Sequence, residues 1–455
     1  ISTVVTLCGV HKALAVADSQ GPRIPTIFDA RGKWANALEA SEYAVRELLP
    51  STSRQALVLQ APHVFVGGYL ADLAVAGYGP EPTLPLFAVW PESPYSNPTV
   101  PSLCNESAPQ WSLFGDLVEG KTADAHGWEG PGEGGNKMPT VIGYHDKGPG
   151  AWAECLNLCT PKHRTISLVG DLASNLAFHA RAQPVVSLAQ HPPKPVGPYD
   201  KDKTYVAIVN SDGDNMQIDQ CRINDRQLSG MAYRAASCAL PGAVCPPVAW
   251  TMSNRMKEIA PVILRWWFAR ATPSDSFIFG PSGYGYVYPG LLDRSSQTAF
   301  ANVTAAAGAS LGMTGYTHWD WVSDFSKSLP FLEDIARTGL DTAMVATVPD
   351  IWKPNIPDVV GGRLAIVKPT SVVSEGVGQW DADDANAPKG CGTCTIPPTP
   401  SCPVCVQPNP SAASLAQKLL AIPKGEITYI YKIWSVNFTA VEALGKVLQG
   451  THVEI

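Results

Sequence analysis

The sequence predicts an α/β protein in which a C-terminal (β/α)8-type, TIM-like barrel follows a smaller α/β N-terminal region. First, residues 204–455 alternate near-continuous apolar strands with helical segments, which is typical of a parallel sheet covered on both faces. Second, the proline-rich segment at 191–203 favours an extended linker. Third, residues 1–190 show a shorter alternation of strands and helices, which predicts one or two small α/β units.

The N-terminal elements are predicted from short apolar runs. STVVTLCGV predicts a first strand, GKWANALEASEYAVRELL an amphipathic helix and QALVLQ a second strand. Further along, HRTISLVGDLASNLAFHARA predicts a strand followed by a helix, and PVVSLAQ another strand. The glycine-rich GPGEGGNKMP lacks the spacing of a phosphate-binding loop, so we interpret it as an ordinary connection.

The C-terminal half has a more regular rhythm. Its strands are predicted at TYVAIVN, PPVAWTMSN, DSFIFG, GMTGYTHWD, TAMVATVPD, RLAIVKPTSVV and ITYIYKIWS, with THVEI as a final strand. Helices such as RMKEIAPVILRWWFARA and SSQTAFANVTAAAGASLG separate them. Seven or eight such units in about 250 residues fit a barrel. A doubly wound open sheet is the alternative, because both folds obey the right-handed crossover rule.

Composition excludes several classes of protein. With 45% hydrophobic and only 16% charged residues, the chain has the material for an ordinary core and does not resemble a disordered protein. The formal net charge of −7 argues against a nucleic-acid partner or an anionic membrane surface. No run approaches 18 consecutive apolar residues, so we expect no membrane span.

Cysteines and sequons favour a secreted protein. The closely spaced pairs indicate disulfides in an oxidising compartment; the candidates are Cys155, Cys159, Cys238, Cys245, Cys391, Cys394, Cys402 and Cys405. Three N-glycosylation sequons agree, at Asn105, Asn302 and Asn437. The total of 11 cysteines leaves one free thiol or an intermolecular bridge. The start at Ile1 fits removal of a signal peptide, although an incomplete chain would begin in the same way.

A cysteine- and proline-rich insert interrupts the barrel region at 381–411. It contains C-x2-C twice, with the proline-rich spacer TIPPTPS between the two pairs. In a cytosolic protein this spacing would indicate a zinc site. Given the other indications of secretion, we favour disulfides that close a surface loop, and zinc remains the alternative.

Polar and aromatic side chains follow the predicted strands at the edge where ligands bind in parallel α/β folds. The expected ligand contacts are Asn215, Trp250, Asn254, Ser282, Tyr284, Tyr286, His318, Trp319 and Trp434. The carboxylates at the same edge are Asp212, Asp214, Asp320 and Glu375. Paired carboxylic acids can cleave a glycosidic bond, and aromatic faces stack on sugar rings, so this set favours a carbohydrate site.

The motif SDGDN at 211–215 has three interpretations. Asp-Gly and Gly-Asp-Asn are common in turns, which makes a purely structural turn the plain explanation. Its position after a buried strand favours a functional role equally. Asp212 and Asp214 also supply hard oxygen ligands that suit Ca²⁺ or Mg²⁺, although the EF-hand pattern is absent.

Other candidates carry strong structural alternatives. A single histidine beside a tryptophan, such as His318, is more often packed in a core than catalytic. Glu375 follows an apolar strand, and a solvated loop glutamate is as good an interpretation as a catalytic one. No G-x-S-x-G or H-E-x-x-H motif is present, which argues against a serine hydrolase and a zinc protease.

One stretch resembles a known family signature. GPSGYGYVYPG at 280–290 contains Gly283-Tyr284-Gly285-Tyr286-Val287-Tyr288-Pro289, which resembles the motif that names the GxGYxYP family of glycoside hydrolases. YVAIVNSDGDN, VAWTMS and DSFIFGPSG follow in the order that the family has them. The resemblance covers residues 200–455 best and implies a barrel-like hydrolase domain. The cysteine richness and the insert at 381–411 depart from the family pattern.

The leading hypothesis is therefore a secreted glycoside hydrolase that acts on a polysaccharide and requires no cofactor. Asp212 and Asp214 are expected to hold the substrate or a cation, with Asp320 and Glu375 as acid/base and nucleophile. The rival is a non-catalytic extracellular protein that binds carbohydrate or takes part in self-assembly or another surface assembly. A metal-dependent deacetylase or phosphoesterase with metal at Asp212 and Asp214 is the third alternative.

Overall fold

A computed structural model describes the chain in segments. The described residues are 2–15, 25–60, 70–78, 83–91, 109–121, 127–133, 137–143, 164–168, 175–181, 188–192, 197–210, 213, 226–320, 325–346, 357–369, 410–432 and 438–455. They form two parallel sheets with helices packed against them.

The first sheet belongs to the N-terminal region and has four parallel strands. These are β1 (Ser53–Leu59), β2 (Leu86–Val89), β3 (Thr140–Ile142) and β4 (Ile166–Leu168), in the order β2-β1-β3-β4. The helices of this region are α1 (Ser2–His11), α2 (Ala37–Tyr43), α3 (Ala71–Ala76), α4 (Pro109–Glu119) and α5 (Leu176–Arg181). A π-helical turn at Ala44–Leu48 continues α2.

The prediction of a strand at STVVTLCGV is wrong, because Ser2–His11 is the helix α1. Its β-branched residues favour a strand locally, but burial of one face overrides that weak preference. Leu7 packs in a core cluster with Leu48 and Phe87. The Thr6 hydroxyl accepts a hydrogen bond from the Ala88 backbone N–H at 3.0 Å, which fixes α1 against β2.

The second sheet closes into a barrel of seven parallel strands. They are β5 (Thr204–Asn210), β6 (Val248–Met252), β7 (Asp275–Phe279), β8 (Gly315–Trp319), β9 (Thr342–Ala346), β11 (Leu364–Pro369) and β12 (Ile427–Lys432). Pairing of β9 with β11 and of β12 with β5 closes the ring. The parallel barrel is thus confirmed, and the open-sheet alternative is wrong.

Among the described residues, the predicted eighth strand is short and pairs with one strand of the barrel only. The final strand β13 (Val453–Glu454) pairs with Thr204 and Tyr205 at the start of β5, whereas β6 pairs with Val209 and Asn210 at its end. A two-residue strand thus lies beside β5 only at the amino end of the barrel, and β5 and β6 pair directly at the other end. The short β10 (Val359–Val360) runs antiparallel to β11.

Helices cover the outside of the barrel. They are α6 (Arg226–Cys238), α7 (Met256–Ile259), α8 (Pro261–Arg270), α9 (Arg294–Leu311), α10 (Phe325–Ala336), α11 (Pro410–Leu420) and α12 (Phe438–Leu448). The predicted single helix RMKEIAPVILRWWFARA is divided into α7 and α8 at Pro261, because proline cannot donate the hydrogen bond that a continuous helix needs there. Among the described helices none is long and apolar enough to cross a membrane.

One hydrophobic core runs through both sheets. It includes Val58 and Ile142 from the N-terminal sheet together with Phe279 and Tyr316 from the barrel. A smaller cluster of Val209, Ile278, Met344 and Tyr429 fills the inside of the barrel. The N-terminal sheet is therefore part of the packing of the barrel.

The segment before the proline-rich linker is attached to the barrel. The Gln190 side chain donates to the carbonyls of Phe277 at 3.0 Å and Gly312 at 2.7 Å, and accepts from the Phe277 N–H at 2.8 Å. Beyond the linker's start, the Tyr199 hydroxyl donates to the Gly425 carbonyl at 2.8 Å. The chain is thus bonded to the barrel at Gln190, just before the linker, and at Tyr199 within it.

Candidate functional site

The carboxyl ends of four barrel strands bring polar side chains together, and we call this group the barrel mouth. Its described members are Asn210 at the end of β5, Ser253 and Asn254 after β6, Ser282 after β7 and Asp320 after β8. All five are buried. Parallel strands place their carboxyl ends at one edge, so these residues lie at the edge where the site is predicted.

Hydrogen bonds connect the strand ends. The Ser282 hydroxyl accepts from the Trp319 N–H at 2.9 Å and donates to the Trp319 carbonyl at 3.2 Å. The Asn254 side-chain amide donates to the Gly283 carbonyl at 3.3 Å. Its Oδ1 atom is buried without a hydrogen-bond partner in the described part of the chain, so an acceptor in the mouth remains for a ligand donor.

The centre of the SDGDN motif lies at the end of β6. The Gly213 N–H donates to the Thr251 hydroxyl at 3.0 Å, and the Gly213 carbonyl accepts from the Ser253 N–H at 2.7 Å. A Cβ at Gly213 would come within 1.7 Å of the Thr251 carbonyl oxygen, which only glycine avoids. Asp212 and Asp214 are the covalent neighbours of this glycine and lie outside the described residues.

Asp320 is the predicted catalytic carboxylate that the described residues place in the mouth. Its Oδ2 atom accepts from the Gly290 N–H at 3.0 Å. Burial raises the pKa of Tyr316 well above its usual value, and the negative charge of Asp320 adds to that increase. Asp320 therefore lies close to the end of β8 and is fixed by the loop that follows the GxGYxYP motif.

The GxGYxYP loop is shaped by its contacts with two neighbours. Gly283 has a positive φ of 120°, and a Cβ there would lie 2.6 Å from the side chain of Thr304. A Cβ at Gly285 would lie 2.4 Å from Ile166 of β4. Tyr286 and Ser167 exchange backbone hydrogen bonds at 2.7 and 3.3 Å as an isolated antiparallel bridge. The motif thus joins the barrel to the N-terminal sheet.

Two aromatic residues expected to contact the ligand belong to the core. Trp250 is buried between Trp267 and Phe438, and its indole N–H donates to Asp275 at 2.9 Å. Its side chain points out of the barrel towards the helices, because neighbouring positions of a strand face opposite sides. The expectation that Trp250 contacts a ligand is therefore wrong.

Tyr286 is also buried, with its ring edge against Trp319 at a centroid distance of 5.4 Å. Its ring is packed and does not present a face for sugar stacking. Trp319 itself is partly exposed. Its backbone is hydrogen-bonded to the hydroxyl of the mouth residue Ser282.

His318 is enclosed on β8 and is not a ligand contact. Its ring lies among Tyr316, Phe325 and Phe331, with centroid distances from 5.9 to 6.1 Å. Burial lowers the pKa of His318 to about 3, so the imidazole is neutral at physiological pH. The surroundings of His318 therefore support the interpretation that it is a histidine packed in the core.

Tyr284 turns away from the mouth. Its hydroxyl donates to Glu258 at 2.5 Å, and the Arg255 guanidinium lies 4.5 Å from the centre of its ring. Sequence reasoning missed Arg255 and Glu258, although they follow the strand-end residue Asn254 directly and have the i,i+3 spacing of an ion pair on a helix.

Several predicted residues lie outside the described part of the chain. They are the site candidates Asp212, Asp214, Asn215, Glu375 and Trp434, the sequons Asn105 and Asn437, and Cys155, Cys159, Cys391, Cys394, Cys402 and Cys405. Of the described candidates, Cys238 and Cys245 form the predicted disulfide. Asn302 is exposed on α9.

Comparison with known proteins finds a family model that matches part of the barrel. Residues 202–328 match the family model described as "GxGYxYP putative glycoside hydrolase C-terminal domain", which confirms the resemblance of this region. The matched region contains β5 to β8, the SDGDN motif and the GxGYxYP loop.

A solved structure shares the fold of the whole chain. It is titled as the crystal structure of "a putative hydrolase" from Bacteroides thetaiotaomicron VPI-5482, with a TM-score of 0.65 and 15% sequence identity. The likeness covers 100% of this chain and 74% of that one, and at this identity it concerns the fold alone. No curated protein matches the chain in sequence.

Proposed function

We propose that the protein is a glycoside hydrolase that cleaves a polysaccharide with carboxylates of the barrel mouth. The observation that carries the proposal is the position of Asp320, a buried carboxylate at the carboxyl end of a barrel strand inside the region that matches the family model. The partly exposed Trp319 precedes it, and the Ser282 hydroxyl is hydrogen-bonded to the Trp319 backbone.

Hydrolysis of a glycosidic bond needs two carboxyl groups with different tasks. One protonates the leaving oxygen, and the other attacks the sugar or activates water, at separations of roughly 5–10 Å. We assign Asp320 and Glu375 to this pair and propose that Asp212 and Asp214 hold the substrate. Alternatively, Asp212 and Asp214 bind a Ca²⁺ or Mg²⁺ ion. Metal analysis of the purified protein tests for this ion.

The first prediction concerns Asp320. The Asp320→Asn variant should lose hydrolysis by about 10²–10⁴-fold in kcat, because an amide can neither transfer a proton nor attack the sugar. Release of reducing ends from a panel of plant, fungal and bacterial polysaccharides measures it, with Asp212→Asn and Glu375→Gln alongside.

Asp202→Asn is the matched control, because Asp202 is exposed and precedes β5 at the opposite end of the barrel. Full activity of Asp320→Asn would contradict the assignment. Binding of a polysaccharide without any turnover by the wild type would favour the non-catalytic carbohydrate-binding alternative.

We further propose that the protein is secreted and carries N-linked glycans. The Cys238–Cys245 disulfide and the exposed position of Asn302 support this proposal. Expression through a secretory pathway should give a product whose mass falls on treatment with an N-glycosidase, and a mass equal to that of the bare chain would contradict it.

A further inference from the structure

A second opening lies between the N-terminal sheet and the barrel, and we call it the inter-sheet cavity. Its volume is about 660 Å³, which is in the range of ordinary small-molecule pockets, roughly 300–1,000 Å³. Gln55, Tyr78 and Glu129 line it from the N-terminal side, and Arg255, Glu258 and Tyr284 from the barrel side.

The GxGYxYP loop separates this cavity from the barrel mouth. On one side of the loop Ser282 contacts the end of β8 in the mouth. On the other side Tyr284 contacts Glu258 in the cavity. None of the residues that line the cavity is one of the described members of the barrel mouth.

Arg255 lies in the cavity wall and forms hydrogen bonds with residues of both the barrel and the N-terminal region. Its Nε atom donates to Glu258 at 2.8 Å, Nη1 to the Thr140 hydroxyl at 3.1 Å and Nη2 to the Tyr78 hydroxyl at 3.0 Å. The residue is buried, and all three nitrogens have partners. A buried cation that is paired and hydrogen-bonded in this way gives a rigid, preformed surface.

Glu258 is held in one position and remains open to the cavity. Tyr284 donates to its Oε1 atom at 2.5 Å and Arg255 to Oε2 at 2.8 Å. Its side chain is 34% exposed. A carboxylate has about four acceptor positions, so two remain for donors of a ligand after these two contacts.

A further acceptor on the opposite wall has no donor. The Oε1 atom of Gln55 is buried and lacks a hydrogen-bond partner among the described residues. Buried polar atoms are almost always paired, so an atom of this kind on a cavity wall indicates a ligand or a water molecule. Glu129, on the same side of the cavity, is exposed and adds another acceptor.

The charges of the cavity balance. Arg255 and Lys257 are positive, and Glu258 and Glu129 are negative. Such a wall favours neither an anion nor a cation, and its free groups are mainly acceptors, which suit a ligand with several hydroxyl groups. An aromatic ring, that of Tyr284, lies in the same wall.

We propose that the inter-sheet cavity is a second carbohydrate site, which binds a neutral saccharide through Glu258, Gln55 and Tyr284. The choice of a saccharide among neutral hydroxylated ligands rests on the proposed function. The site lies next to the barrel mouth across the GxGYxYP loop, where it can hold a further part of a polysaccharide chain.

The test is calorimetric titration with neutral oligosaccharides, namely cello-, xylo-, malto- and mannohexaose, in the Asp320→Asn background to prevent turnover. We expect at least one of them to bind. Glu258→Gln and Tyr284→Phe should each weaken binding at the cavity at least tenfold. Glu129→Gln and Gln55→Ala should each weaken binding at least threefold. Both leave the Arg255–Glu258 pair intact, so they should fold and keep the inference testable even if Glu258→Gln does not fold.

Glu47→Gln and Tyr199→Phe are the matched controls, because both residues are exposed and lie outside the cavity. Their binding should equal that of the background. The inference is overturned if no neutral hexasaccharide binds, or if the cavity variants that fold bind as the background does.

The outcomes separate this inference from the proposed function. If no polysaccharide is hydrolysed but binding depends on Gln55 and Glu129, the proposed function fails and the cavity site stands. If hydrolysis depends on Asp320 while the cavity variants bind normally, the proposed function stands and the cavity site is rejected.

Discussion

At the scale of single residues, several polar groups in the barrel have a structural role. The buried Arg234–Asp275 pair is an example. Asp275 accepts from Arg234 at 2.8 Å and from Trp250 at 2.9 Å, and its other oxygen accepts from Thr272. Because every bond of this carboxylate lies within the protein, the group stabilises the packing of α6 on β6 and β7 and is not available for chemistry.

His318 makes the stability of the protein depend on pH. Its pKa is lowered to about 3 in the folded state by burial, against about 6.5 for an exposed histidine. Between these two values the unfolded chain binds a proton that the folded protein does not. The free energy of unfolding therefore falls as pH decreases from about 6.5 to 3, by up to about 1.4 kcal/mol per pH unit from this residue alone.

We therefore expect His318→Leu to have a shallower dependence of unfolding free energy on pH in this window. Urea denaturation at a series of pH values measures it, and His191→Leu is the control at an exposed position. An unchanged slope in His318→Leu would show that the imidazole is protonated in the folded state, contrary to its surroundings.

At the scale of elements, the GxGYxYP loop joins two structural layers. Gly283 is fixed against Thr304 of α9, and Gly285 against Ile166 of β4. The backbone bridge between Tyr286 and Ser167 follows from this close approach. The motif that suggested an active-site wall is thus also the contact by which the barrel holds the N-terminal sheet.

Gly285→Ala should destabilise the protein by about 1–3 kcal/mol, because its Cβ would lie 2.4 Å from Ile166 and 2.9 Å from the Ser167 carbonyl oxygen. Urea denaturation measures the loss. Gly339→Ala is the matched control, since nothing lies within 4 Å of a Cβ at that position. Equal stability of the two variants would mean that the loop and β4 separate easily.

Strands of the barrel could be predicted because each one is a run of apolar residues buried on both faces, as in Thr204–Asn210. The helix α1 could not, because its burial against β2 decides its conformation and its residues locally favour a strand. The strand ends could be identified from the sequence, which is why Ser253, Asn254, Ser282 and Asp320 could be expected at one edge of the barrel. The direction of the Tyr284 side chain and the role of Glu258 depend on contacts between distant segments of the chain. The pattern of apolar residues along the sequence does not predict such contacts.

At the scale of the whole molecule, the two sheets share one core and one polar junction. The continuous hydrophobic cluster runs from the N-terminal sheet into the barrel, and Arg255 donates from the barrel to Thr140 and Tyr78. The N-terminal region therefore loses buried surface on the face that carries Val58 and Ile142 if it separates from the barrel.

We expect the two layers to unfold together. Hydrogen exchange at increasing urea should show amides of β3 (Thr140–Ile142) and β6 (Val248–Met252) losing protection at the same denaturant concentration, because Ile142 and Val248 belong to one shared hydrophobic cluster. Loss of protection in β3 at clearly lower urea would show that the layers are independent units.

Closure of the barrel has a consequence for biosynthesis. The first barrel strand, Thr204–Asn210, is completed by Ile427–Lys432 and by Val453–Glu454, which are synthesised much later than it is. Until then the open edge of the first strand is an unpaired template for other chains. A nascent chain of this protein therefore passes through a long interval in which this edge can pair with other chains and lead to aggregation.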